Sequence, residues 1–203
     1  MDPTAPRTAD LPGAASGALT HPRALARFPE MAQLAAELLR KPPALLGLSE
    51  ADARCVVAFM QLLDYAKGAT LLREYDSQAT GYMLLVLSGE VSVETAAPGQ
   101  ASEAVVISSL GAGSLLGEMS LLDGEPRSTQ CTAISAVQCA GLSRRGLDQL
   151  IALHPLVAAR LLAEVASIIA NRLRALSEQL RLYGQLTGSM QREIDRLKAA
   201  AGR

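Results

Sequence analysis

The chain has 203 residues, with 19 Lys+Arg against 20 Asp+Glu and a formal charge of −1. That size holds one ordinary domain with appendages or two small domains, and the near-zero charge excludes retention on nucleic acid or an anionic membrane by bulk electrostatics. Ala (35) and Leu (34) make up a third of the chain, whereas Phe, Tyr and Trp together number six, so the core is aliphatic and little surface is left for stacking bases.

Three widely spaced cysteines, Cys55, Cys131 and Cys139, each sit in an apolar stretch where free Cys behaves as a small hydrophobe, which fits a reducing cytosol. His21 and His154 stand alone, without metal-ligand spacing, and read as surface residues. No charged start followed by an apolar h-region appears, so a secretory leader is not expected. The most apolar stretch near the C-terminus is broken by Arg160 and Glu164, well short of the ~20 residues of a membrane span. A cytoplasmic protein without a metal site is expected.

Residues 1–22 hold four of the ten prolines among Ala, Thr, Gly and Ser, a composition that buries too little to offset its ordering entropy. A disordered leader is therefore expected, taken as 1–27. From Phe28 to Arg40 the apolar positions Met31, Leu34, Ala35, Leu38 and Leu39 recur at helical spacing until Lys41-Pro42-Pro43 stops them. Ser49, with Asp52 three residues on, announces a second helix carrying Ala53, Val56, Val57 and Met60 on one face. These two helices form a lead-in over 28–61.

Between 62 and 142 the chain becomes short apolar runs separated by Gly, Ser, Asp or Pro, from LLDYAKG to TQCTAISAVQCAGLS. Strands at such spacing indicate a small jelly roll, and Ser88-Gly89 between two apolar runs predicts a tight hairpin turn. Ser143 then caps a short helix over 143–154. From Pro155 to about 200 the residues Leu162, Ala166, Ile169, Leu173, Leu176, Leu180, Tyr183, Thr187, Met190, Ile194 and Leu197 alternate spacings of three and four, a heptad pattern over five repeats. With Leu173 at an a position, Glu193 falls at g and Lys198 at the following e, the geometry of an interhelical salt bridge in a parallel dimer. Gly184 and Gly188 each cost about 1 kcal/mol of helix. The fold class is α+β: a β-roll with N-terminal helices and a long C-terminal dimerisation helix.

One segment departs from the strand pattern, Gly117-Glu118-Met119-Ser120-Leu121-Leu122-Asp123-Gly124-Glu125-Pro126-Arg127-Ser128. A glycine permitting close backbone approach opens one helical turn whose first N–H groups lack intrahelical partners, which is an anion site. An arginine nine residues after the glutamate offers a planar two-pronged donor for phosphate, and Glu118 is suited to accept from a sugar hydroxyl. The alternative is an ordinary salt bridge from Arg127 to Glu118 or Asp123.

At these residues the chain resembles the cyclic nucleotide-binding domain family, whose phosphate-binding cassette runs as Gly-Glu, a short helix and Pro-Arg-Ser. The resemblance extends to KGATLLREYD and YMLLVLSGEVSV upstream and to the LHP turn and long helix downstream, over about residues 45–180. It implies that Glu118 binds the ribose 2′-hydroxyl, that Arg127 binds the cyclic phosphate, and that Gly117, Met119, Ser128 and Thr129 complete the phosphate cradle. On the long helix it implies Asn171, Arg172 and Ser177 as candidate purine contacts, with Arg174 a polar neighbour, which leaves adenine and guanine open. Two positions depart from the family: Tyr75 stands before Asp76 where Gly is usual, implying a different backbone there, and Leu116 replaces the common aromatic before Gly-Glu.

The expectation is a dimeric regulatory sensor of cAMP or cGMP that signals by moving its C-terminal helices to a downstream partner protein. No catalytic constellation is present and no cofactor is implied. Only 48 residues follow Pro155 and the heptads take up most of them, so no helix-turn-helix for DNA is expected. The alternatives are a ligand-independent coiled-coil scaffold and a receptor for a cyclic dinucleotide.

Overall fold

The computed structural model describes residues 19, 21–40, 47–97 and 100–201. The chain divides into two units, one ending at Glu164 and one beginning at Val165. The first is an α+β roll of two antiparallel sheets. One sheet runs in the order β1 (Arg23–Ala24), β2 (Gln61–Tyr65), β9 (Val137–Ser143), β4 (Tyr82–Ser88), β7 (Leu115–Leu116); the other runs β3 (Thr70–Leu72), β8 (Gln130–Ala133), β5 (Val91–Ala97), β6 (Gln100–Leu110).

The N-terminal helices form for local reasons. In α1 (Pro29–Leu39) a proline occupies the first turn, where its missing N–H costs nothing, and Ala35, Ala36, Leu38 and Leu39 are buried. In α2 (Glu50–Val57) the Ser49 side chain accepts from Asp52 N–H while the Asp52 carboxylate accepts from Ser49 N–H, a complete capping box. The stop expected at Lys41-Pro42-Pro43 lies outside the described residues.

Two expectations are corrected. The leader does not extend to residue 27: Arg23 and Ala24 pair with Leu62 and Gln61, and Leu25 is fully buried in the 3-10 turn that follows. The apolar Leu25 and the ion pair of Arg23 with Asp64 hold these residues, which follow the proline-rich stretch but share none of its prolines. Ser88-Gly89 is not a hairpin turn, because β4 and β5 belong to different sheets. Residues Tyr82–Leu87 are all buried, with both edges of β4 occupied, by β9 on one side and β7 on the other. The chain must therefore leave the sheet at Gly89, where φ is +86° and a Cβ would collide with the Ala136 carbonyl.

The core lies between the sheets: Leu63, Leu71, Tyr82, Leu84, Val86, Val91, Cys131 and Cys139 belong to one buried cluster. Burial pushes the Cys139 thiol up, which keeps it protonated and inert. After β9, Ser143 accepts from Gly146 N–H and starts α4 (Arg144–Leu153). Pro155 then opens α5 (Pro155–Ala201), whose first turns bury Ala158 and Leu161 and whose Arg160 bonds Asp52 at 2.6 Å. The second unit consists of the rest of α5, where Leu173, Leu176, Leu180, Tyr183, Leu186, Met190 and Ile194 are exposed. The side chain of Glu193 lies outside the described residues. Among the described residues no helix is long and apolar enough to cross a membrane.

Candidate ligand-binding site

The segment that broke the strand pattern lies at one end of β4. Leu116 pairs with Leu84, so β7 delivers Gly117 to the Tyr82 end of that strand. Gly117 has φ +72° and opens α3 (Glu118–Asp123), which closes on Gly124 at φ +78°. Both glycines adopt left-handed backbone that an L side chain enters only at a cost, so a helix of this length can begin and end abruptly.

Arg127 returns from this helix into the roll. Its backbone is zipped onto the loop between β3 and β4: Tyr75 N–H donates to the Arg127 carbonyl at 2.8 Å, and Arg127 N–H donates to the Asp76 carbonyl at 3.2 Å. Asp76 Oδ1 in turn accepts from Gln78 and Ala79 N–H, shaping the loop so that the Ala79 carbonyl faces inward. Arg127 is 2% exposed. Nε and Nη2 donate to Ala79 O at 3.0 and 2.6 Å, Nη2 to Tyr82 O at 2.8 Å and Nη1 to Gly117 O at 2.8 Å. Its Cζ lies 4.5 Å from the Tyr82 ring centroid.

Among the described residues none of these partners is a carboxylate, so the salt bridge from Arg127 to Glu118 or Asp123 is not formed. Asp123 Oδ1 instead accepts from Glu125 N–H at 3.0 Å within its own turn. Burial lowers the guanidinium's affinity for its proton, opposed by Tyr82 and by the nearby Asp76 charge. An arginine remains cationic under such a shift. The roll thus holds a buried positive charge whose hydrogen bonds go to carbonyl oxygens, with the Asp76 charge nearby but not bonded to it. Glu118, 1% exposed at the first position of α3, lies in the same cassette.

Gly117 is required by the arginine as much as by the backbone, since a Cβ there would collide with Arg127 Nη1. The close approach anticipated at this glycine is therefore made by the protein's own guanidinium. Tyr75 also corrects an expectation: its φ is +61°, so the tyrosine adopts the left-handed backbone suited to glycine rather than a different one, and its ring is 74% exposed.

The structure brings Gly117, Glu118 and Arg127 together, with Met119 and Ser128 exposed at the same cassette and Thr129 half-buried. Asn171, Arg172 and Ser177 lie on α5 in the second unit. There Asn171 accepts from Arg174 at 2.5 Å and Ser177 donates to the Leu173 carbonyl. Sequence reasoning missed the carbonyls of Ala79 and Tyr82 and the Tyr82 ring. Backbone acceptors carry no residue-type signal; the ring had one, being among six aromatics in the chain. No group of three His, Cys, Asp or Glu able to hold a metal occurs among the described residues.

Comparison with known proteins gives this cassette a context. The family model "Cyclic nucleotide-binding domain" matches residues 62–154. The crystal structure of a cyclic nucleotide-binding domain from Methylobacillus flagellatus is 31% identical, with a TM-score of 0.67 over 74% of this chain and 82% of that one. Thermus thermophilus catabolite activator protein is 30% identical, with a TM-score of 0.59 over 70% of this chain and 63% of that one. A CRP-like cAMP-activated global transcriptional regulator of Mycobacterium tuberculosis is 23% identical over 168 residues, which is 82% of this chain and 71% of the regulator. On the match over the roll and the 31% identity to a solved domain of which it covers 82%, the chain belongs to the cyclic nucleotide-binding domain family.

Proposed function

We propose that the protein is a cytoplasmic, dimeric sensor of a 3′,5′-cyclic nucleotide, cAMP or cGMP, that reports occupancy through its C-terminal helix to a protein partner. The observation that carries this reading is the buried Arg127 at the end of the cassette, whose guanidinium has no carboxylate hydrogen-bond partner among the described residues. A buried cation left in that state is stabilised by an anion that enters the pocket and bonds it. Glu118, next in sequence to the Gly117 that Arg127 bonds, matches the sugar hydroxyl of a nucleotide, and the N–H groups near Gly117, Met119 and Ser128, with Thr129, complete the phosphate cradle. Asn171, Arg172 and Ser177 are assigned to the purine.

Ligand can bias the helix only to the extent that it binds two states of the protein differently. The phosphate draws the Gly117–Arg127 cassette inward, α4 follows, and α5 repacks over the purine. Support for the dimer comes from the run of exposed apolar residues from Leu173 to Ile194, which a second copy would cover at heptad spacing.

Calorimetry with cAMP and cGMP, preceded by a thermal-shift screen that adds cCMP and cyclic dinucleotides, tests the ligand. Wild-type protein binds cAMP or cGMP, and Arg127→Ala weakens that binding by roughly 2–5 kcal/mol, because the phosphate loses its charged partner. Absence of binding, or binding indifferent to this substitution, rejects the reading. A thermal shift with cyclic dinucleotides alone would assign the pocket to that ligand class instead.

A further inference from the structure

Tyr82 opens β4 and is 3% exposed. Packing does not require an aromatic at this position, since its neighbours on the same face of the strand, Leu84 and Val86, fill the same buried cluster with aliphatic side chains. What distinguishes Tyr82 is its relation to Arg127. The guanidinium Cζ stands over its ring at 4.5 Å, and the Tyr82 carbonyl accepts from Nη2 at 2.8 Å. The ring is fixed at its far end, where the hydroxyl donates to the Leu71 carbonyl at 3.3 Å. Pairing of Tyr82 with Ser143 fixes its backbone in the sheet.

The choice of an aromatic has an electrostatic consequence. A carboxylate in this place would hold the guanidinium equally well and would also neutralise it, so that an incoming anion would have to compete. The negative face of an aromatic ring and the ends of carbonyl dipoles stabilise a buried cation while leaving its charge uncancelled. We propose that Tyr82 is a positioning residue for anion recognition, its ring and carbonyl holding the Arg127 guanidinium in the cassette as a cation whose hydrogen bonds, among the described residues, go to no carboxylate. This rests on the reading of Arg127 as the phosphate ligand. Tyr82 itself acts through Arg127 and needs no contact with the nucleotide.

The test combines a double-mutant cycle with a measurement made without ligand. Tyr82→Leu weakens cyclic nucleotide binding about tenfold or more, the size of a desolvated cation–π contact. Tyr82→Phe, which keeps the ring and loses only the hydroxyl bond, recovers most of the affinity. In an Arg127→Ala background Tyr82→Leu has no further effect, because its influence passes through the missing guanidinium. Equal losses in both backgrounds, or a Phe variant as weak as the Leu variant, overturn the proposal.

In ligand-free wild-type protein the Arg127 Nε–H resonance is expected upfield by the ring current and protected from exchange, and both signatures are expected to survive Tyr82→Phe. Their absence from wild type overturns the proposal even where the Leu variant fails to fold. Their presence in a protein that binds no cyclic nucleotide leaves Tyr82 in its positioning role and rejects the nucleotide reading instead.

Discussion

Gly117 and Tyr75 show how the same backbone region places opposite demands on side chains. Both residues have positive φ, yet one is a glycine against which a guanidinium is packed and the other is a tyrosine with 74% of its surface exposed. Adding a methyl group at Gly117 strains the backbone and drives into Arg127 Nη1. Gly117→Ala is therefore expected to cost at least about 1–2 kcal/mol of stability in urea unfolding and to weaken ligand binding in calorimetry, since the arginine must move. At Tyr75 the reverse holds, because nothing packed is lost with the ring. Tyr75→Gly is expected to raise stability by about 1 kcal/mol in the same assay, the left-handed penalty relieved less the entropy a glycine adds to the unfolded chain. The role of Gly117 was readable in part from its place before Glu118. The left-handed course at Tyr75 was not, because it is imposed by the Tyr75 N–H bond to the Arg127 carbonyl, which closes across 52 residues of sequence.

At the scale of elements, the capping box of α2 was legible from Ser49 and Asp52 alone, because its bonds span three residues. The fold adds a further role: Asp52 also accepts from Arg160, 108 residues away, tying the first turns of α5 to α2. The Ser49 hydroxyl bond lowers the Asp52 carboxyl below its usual range, helped by the Ser49 N–H and Arg160 and opposed by burial. A carboxyl lowered in the folded state adds stability that is fully present above its unfolded value, about 3.9, and is lost as pH falls through the folded one. Asp52→Asn is expected to lower stability at pH 7 and to flatten the acid limb of a urea-unfolding series between pH 5 and 2. A series parallel to wild type would show that the box and the Arg160 pair contribute nothing to it. Strand pairing, by contrast, was misread at Ser88-Gly89. A hairpin and a crossing between sheets share the same turn residues, and what separates them is that β9 and β7 already occupy both edges of β4.

At the scale of the whole molecule, the roll and the long helix present different problems. The roll buries its apolar residues within itself, whereas the second unit leaves Leu176 and Leu180 50% and 70% exposed. A helix with that apolar surface calls for a partner, and the heptad spacing fits a second copy. The protein is expected to sediment as a dimer and Leu176→Arg/Leu180→Arg as a monomer, with the roll still folded by circular dichroism; a wild-type monomer at micromolar concentration would remove the basis for a dimeric sensor. The order of helices and strands, the capped starts at Ser49 and Ser143 and the Gly-Glu to Pro-Arg cassette could all be read from the chain itself, because each depends on contacts a few residues apart. Which strands pair, that residues 23–27 join the roll, and what Arg127 touches could not. The carbonyls of Ala79, Tyr82 and Gly117 converge on one guanidinium only when two sheets have closed around it, and such acceptors belong to the backbone of every residue alike.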